Sequence, residues 1–301
     1  MRVFLLFGLA ILSLAQTRAP GTISKQISQQ NDAQKLYRQS VEALNKGDLA
    51  TARRGFEQLV QVLPQSAELH DLLGYVLMLQ SQPRLAIPQL QKSVSLNPRL
   101  QLNTIHLAEA LAQDGQLTEA VANFREAQKL GPLDAPTHTA FAHALSGVGA
   151  NQEAEAHLST AIKLQPANAG AYDDLGAVLV QEGRKSEAIE QFKKAIQLGP
   201  EIAGPHLHLG VLYFQQEKAG LALPELQAAV RLNPNLPAGF YYLGMALNKQ
   251  GDLTGAAEAL KRSTELQPEN AEQQDQLGLV LQRLGDSDGA IGAFRRALAL
   301  E

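Results

Sequence analysis

Residues 169–202 read AGAYDDLGAVLVQEGRKSEAIEQFKKAIQLGPEI, and the key residues of this stretch return at the same offsets along most of the chain. Its Pro200 belongs to a row of seven prolines spaced 34 residues apart: Pro64, Pro98, Pro132, Pro166, Pro200, Pro234 and Pro268. Twelve residues before each proline position stands an alanine: Ala52, Ala86, Ala120, Ala154, Ala188, Ala222, Ala256 and Ala290. Four residues after each alanine comes a large apolar side chain: Phe56, Leu90, Phe124, Leu158, Phe192, Leu226, Leu260 and Phe294. Three further on the residue is mostly small, as in Ser93, Ala127, Ala161, Ala195, Ala229, Ser263 and Ala297, with Leu59 as the large member. A fixed period of this length marks a repeat array, in which each unit is one supersecondary element stacked on its neighbours. Phasing on the prolines gives eight units: 33–66, 67–100, 101–134, 135–168, 169–202, 203–236, 237–270 and 271–301.

Offsets of i, i+4 and i+7 lie on one face of an α-helix, so the second half of every unit predicts a helix with one packed face. The first half repeats too: Leu175-Gly176 with Leu179 matches Leu209-Gly210 with Tyr213, Leu243-Gly244 with Leu247, and Leu277-Gly278 with Leu281. Glycine costs about 1 kcal/mol of helix propensity relative to alanine. Its return at one position therefore predicts a close helix crossing. Gly47, Gly115, Gly149, Gly183, Gly251 and Gly285 recur between the two helices, where a helix end needs a positive φ. Each proline then stops the second helix, because it has no N–H to donate and clashes with the preceding turn.

These residues resemble the tetratricopeptide repeat family. Unit 169–202 carries most of the family pattern: Tyr172 where the family prefers tryptophan, then Leu175-Gly176, Gly183, Ala188, Phe192, Ala195 and Pro200. The resemblance covers residues 33–301 and implies an all-α fold, a right-handed α-solenoid (superhelix) of eight helix–turn–helix repeats. The chain departs from the pattern at Ser40, Ala108 and Ala142, which replace the helix-crossing glycine, and at Pro83 and Pro88 around the second helix of unit two. Pro88 and Pro224 share a phase four units apart, which hints at block duplication.

Net charge is −4, from 26 basic and 30 acidic residues. Nucleic-acid binders want a basic stripe to neutralise phosphates, so no nucleic-acid partner is expected, and the RNA-reading pentatricopeptide repeat of similar length is disfavoured. The N-terminus reads as a cleavable export signal. Arg2 is a short basic start, Val3–Ala15 is a 13-residue apolar stretch, and Ser13-Leu14-Ala15 offers small residues for cleavage after Ala15. Cleavage after Ala19 would place Pro20 next, which is unfavourable. The alternative is an uncleaved anchor, although 13 residues fall short of the ~20 needed to span a bilayer. The mature chain is thus expected to be periplasmic or secreted, without an integral membrane span. Residues 16–32 are polar, lack a period and are expected to be a flexible linker. There is no cysteine, which excludes disulfides and a lipidated-cysteine anchor.

No phosphate loop, nucleophile elbow, HExxH motif or cysteine nucleophile is present, so the expectation is a non-enzymatic chain without a cofactor. His70, His138 and His206 recur 68 residues apart at the family's tryptophan position. They read as planar rings packed between helices, too widely separated to share a metal. His206 and His208 point to different faces of a helix and form no chelate. In the Asp173-Asp174 pair, one carboxylate is expected to face solvent and one a groove.

What remains is a surface. In the resembled family the concave face is lined by the second, fifth, ninth, twelfth and thirteenth positions of each first helix. Here that implies partner-binding residues Tyr75, Met78, Leu79, Ile105, Val180, Leu207, Val211, Phe214, Tyr241 and Met245. The charged members are Glu68, Asp71, Glu109, Asp173, Glu272 and Asp275, against Lys249 and Arg283. Tyr75, Val211 and Met245 are equally readable as buried under the next unit. Family members that clamp acidic C-termini of heat-shock proteins use lysine at the fifth position and asparagine at the ninth. Neither row here has them: the fifth reads Tyr37, Asp71, Ile105, Thr139, Asp173, Leu207, Tyr241, Asp275 and the ninth Val41, Tyr75, Glu109, His143, Ala177, Val211, Met245, Leu279. The expected partner is an extended or helical peptide or protein, neutral to basic, with apolar anchors. A structural subunit of an envelope or secretion assembly, joined through the ends of the array, is the alternative. Ile291, Phe294, Leu298 and Leu300 in the final helix also suggest a homodimer through that end.

Overall fold

A computed structural model describes residues 20–300, with side chains from residue 31 onward. The export signal and its cleavage after Ala15 lie outside the described residues. The helices fall into two compact units that divide between Pro132 and Leu133. The first contains α1 (Pro20–Asn45), α2 (Leu49–Val62), α3 (Ala67–Leu79), α4 (Pro83–Leu96), α5 (Gln101–Gln113) and α6 (Leu117–Leu130). The second contains α7 (Ala135–Gly147), α8 (Asn151–Leu164), α9 (Ala169–Gln181), α10 (Lys185–Leu198), α11 (Ala203–Gln215), α12 (Ala219–Leu232), α13 (Pro237–Gln250), α14 (Leu253–Leu266), α15 (Ala271–Leu284) and α16 (Ser287–Leu300). The fold is the expected all-α stack of helical hairpins, with no strand among the described residues. None of the described helices is long and apolar enough to cross a membrane.

Within each unit every odd-numbered helix packs against the even-numbered helix that follows, and that helix packs against the next odd one. The repeating rows explain why. Each alanine of the first row is buried, and so are the large residues from Phe56 to Leu260; Phe294 is half-buried. The helix-crossing glycine faces the large residue of its own hairpin. A Cβ on Gly176 would stand 2.5 Å from the Phe192 ring, and one on Gly74 would stand 2.4 Å from Leu90 Cγ. In these hairpins the large residue leaves no room for a side chain at that position of the first helix, whereas α5 and α7 carry the buried Ala108 and Ala142 there.

Hairpin α1–α2 solves the same problem in reverse. Ser40 replaces the glycine on α1, and the facing residue of α2 is Gly55, whose Cβ would lie 1.9 Å from Ser40 Oγ. Ser40 is buried and donates its hydroxyl to Leu36 O at 2.7 Å. Where the turn glycine is missing, Ser81 and Glu217 take up the left-handed conformation themselves, at φ of 57° and 63°. The turn geometry is set by the hairpin, and those two residues bear its strain.

One expectation needs correction. Helix α1 begins at Pro20, so residues 20–32 are helical and not an aperiodic linker. Beyond Gly21 this segment contains no further proline or glycine, and nothing in it interrupts a helix propagating back from the packed turns of α1. The division between the two compact units falls two residues before the fourth repeat begins.

Candidate partner-binding face

Side chains on the odd-numbered helices form the candidate face, since successive odd helices touch: α3 with α5, α7 with α9, α9 with α11, and α11 with α13. In the first unit, Met78 and Ile105 are half-buried and Leu79 is exposed. Tyr75 is half-buried and stacks on the His106 ring, with centroids 5.0 Å apart and planes 27° off parallel. Asp71 is buried, and both its oxygens lie within hydrogen-bond distance of His106 Nδ1, at 2.9 and 3.0 Å. Glu68 accepts from the Tyr37 hydroxyl, and burial followed by this carboxylate holds the Tyr37 phenol well above its usual value.

In the second unit, Val180, Leu207, Val211 and Met245 are half-buried. Phe214 and Tyr241 are half-buried too and are joined by Tyr242: its ring meets Phe214 edge-on at 6.0 Å and Tyr241 edge-on at 5.2 Å. Tyr241 donates to Glu272 at 2.9 Å, and burial, reinforced by that carboxylate, raises its phenol. Asp173 meets His208 Nδ1 at 2.8 Å, and Asp174 meets His143 Nε2 at 2.8 Å. The aspartate partners raise both imidazoles above their ordinary values against the opposing effect of burial. Lys249 pairs with Glu217 at 3.2 Å, and Arg283 bonds Asn248.

This changes the electrostatic picture. Four of the six expected groove acids, Glu68, Asp71, Asp173 and Glu272, are held by a hydroxyl or imidazole from an adjacent repeat. Glu109 and Asp275 are half-buried. The Asp173-Asp174 pair also departs from expectation, because neither carboxylate is simply solvated: each engages a different flanking helix. Tyr75, Val211 and Met245 fall between the two readings, neither buried nor open.

His106, His208 and Tyr242 were not singled out for this face, and all three occupy the sixth position of their repeats. A signal for two of them was present. Aspartate at the fifth position followed 35 residues later by histidine occurs as Asp71/His106 and again as Asp173/His208. The histidines of the tryptophan row behave as packing groups. His70 bridges Gln89 and the Pro64 carbonyl, and His206 bridges Glu225 and the Pro200 carbonyl. His138 instead meets His157, nitrogen to nitrogen at 2.7 Å.

A family model described as tetratricopeptide repeat matches residues 207–271, and one described as TPR repeat matches 176–217. Among solved structures, the APC/C hetero-tetramer Cut9–Hcn1 aligns at a TM-score of 0.64 and 19% identity, over 88% of this chain and 52% of that one. This chain therefore spans about half of that relative. Pseudomonas aeruginosa pilF aligns at a TM-score of 0.58 and 22% identity, over 64% of this chain and 88% of its own. MamA 41-end from Desulfovibrio magneticus RS-1 aligns at 0.50 and 23% identity, over 55% of this chain and 94% of its own. At such identities the likeness is one of fold. No curated protein matches the sequence. The 34-residue period, the glycine-to-large-residue contacts of its hairpins and the two matching stretches give this chain the tetratricopeptide-repeat fold, with residues 176–271 matching the family's own models.

Proposed function

We propose that the chain is a non-enzymatic interaction scaffold, exported through residues 1–15, that binds a protein or peptide segment on the odd-helix face of its second unit. The observation that carries this reading is the edge-packed trio Phe214, Tyr242 and Tyr241, half-buried and flanked by carboxylates. Aromatic rings held rigid by neighbours are the typical anchors of protein interfaces, because they bring large area at small entropic cost. The ligand suited to them is extended or helical, with apolar side chains and lysine or arginine nearby. Truncating such anchors typically costs about 2 kcal/mol or more of binding energy. Phe214→Ala with Tyr241→Ala should therefore strip captured partners from a pull-down with the mature chain while leaving the helical circular dichroism unchanged. Undiminished capture would remove this face from consideration.

Assembly through α16 is the second reading, favoured by Leu298, 72% exposed, beside exposed Ile291 and Leu300. Contiguous exposed apolar surface commonly marks an interaction site. Light scattering across a concentration series tests it: a strict monomer unaffected by Leu298→Glu would contradict association through that helix.

A further inference from the structure

Three successive odd-numbered helices of the second unit share a ladder of four ionisable groups. His143 of α7 bonds Asp174 of α9, and the adjacent Asp173 bonds His208 of α11, each at 2.8 Å. Neighbouring residues on a helix point about 100° apart, so α9 reaches both flanking helices at one level. The histidine side chains are 60% and 44% exposed, the aspartates 28% and 14%. Protons therefore reach the rings freely, while the carboxylates sit shielded behind them.

The surroundings leave these pairs as the groups that answer to pH on this face. On α8, which packs against α7, His157 is taken by His138 and Glu155 by Arg184; Glu153 and Lys163 are its other charges. Beside His208, α10 supplies the Phe192 ring at 5.5 Å, with its Glu187 held by Arg184 and its Glu190 by Lys193. On α12, Glu225 is held by His206, and on α13, Lys249 is held by Glu217. Asp173 and Asp174 act on the His208 ring together, and Asp174 acts on His143.

We propose that this ladder is a pH-responsive latch that regulates partner binding: with neutral imidazoles it presents two net negative charges to a basic ligand, and with both rings protonated it is neutral. Protonation also turns both cross-links into charge-assisted hydrogen bonds, which are shorter and stronger. Acidification thus removes the attraction for a cationic partner and pins α7, α9 and α11 more firmly. The aspartates raise both rings, so the change begins above the ordinary histidine value of about 6.5. The stabilisation from the links is complete below that value and is lost as pH rises through the raised one. This inference rests on the reading of the face as a partner site.

Two measurements on the full chain separate the two ideas. Imidazole titration by NMR should place His143 and His208 above ordinary histidine, and both should fall back in Asp173→Asn/Asp174→Asn. Ordinary midpoints in the wild type, or midpoints unmoved by that substitution, overturn the latch. A fluorescein-labelled octapeptide of alternating lysine and leucine should bind about fivefold more weakly at pH 6 than at pH 8. That dependence should vanish in His143→Gln/His208→Gln. Equal affinity at both pH values, or a dependence that survives in the glutamine variant, also overturns it. Should the peptide fail to bind, or bind Phe214→Ala/Tyr241→Ala as well as wild type, the partner-site reading fails and the imidazole midpoints alone decide the latch.

Discussion

Ser40 and Gly55 show what a single residue costs in a repeat of this kind. Gly176 is empty because Phe192 fills the space, and a methyl there would overpack the crossing by about 1–3 kcal/mol. Ser40 would be just as unwelcome if Gly55 did not withdraw its own side chain. The two sites are therefore coupled. Gly55→Ala should lower the thermal midpoint clearly, and Ser40→Gly in the same chain should recover most of the loss. Additive effects in that double-mutant cycle would refute the exchange. The sequence shows Ser40 as a departure from pattern, but its remedy lies on another helix, where only the crossing brings the two together. Ser81 offers a simpler test. It holds a left-handed φ that glycine adopts without strain, so Ser81→Gly should stabilise by about 0.5–1 kcal/mol in denaturant titration. A loss of stability would show that the turn is relaxed.

At the scale of elements, hairpin α7–α8 carries a buried pair of rings that its sister hairpins lack. His138 and His157 meet at 2.7 Å, so one ring donates and the other must accept. Burial lowers His138 below its ordinary value. The unfolded chain then binds a proton that the folded hairpin refuses, and stability is lost as pH falls below about 6.5. Hydrogen exchange in α7 and α8, corrected for intrinsic rates, should show weaker protection at pH 5 than at pH 7. Undiminished protection would contradict a neutral pair. This runs opposite to the groove pairs, which strengthen as pH falls. The histidines of the tryptophan row were legible in the sequence as packing rings, because their period matched the core. The groove histidines were less so, since a pair 35 residues apart means nothing until two helices are set side by side.

For the whole molecule, the 34-residue period was enough to read the all-α hairpins and the buried alanine row. The charge of the candidate face was not readable by counting, because four of its acids are held by neighbouring repeats. The division at Pro132 also lacks a sequence marker, as the proline row runs through it unbroken. Repeat arrays are stabilised chiefly by nearest neighbours. Ala188→Leu, placed in a fully buried crossing, should cost roughly 1–3 kcal/mol. The damage should reach α9 to α12 in hydrogen exchange and leave α1 to α6 protected. Uniform loss across the chain would show that the repeats do not act locally.

The central claim, that the odd-helix face of the second unit holds a partner, is open to direct capture. A photo-crosslinking amino acid placed at Phe214 should, in cells, join the chain to another protein, whereas the same group at the exposed Leu221 of α12 should not. A discrete adduct at position 214 that disappears with Tyr241→Ala is the predicted result. Adducts of equal yield at both positions, or none at 214, would contradict it.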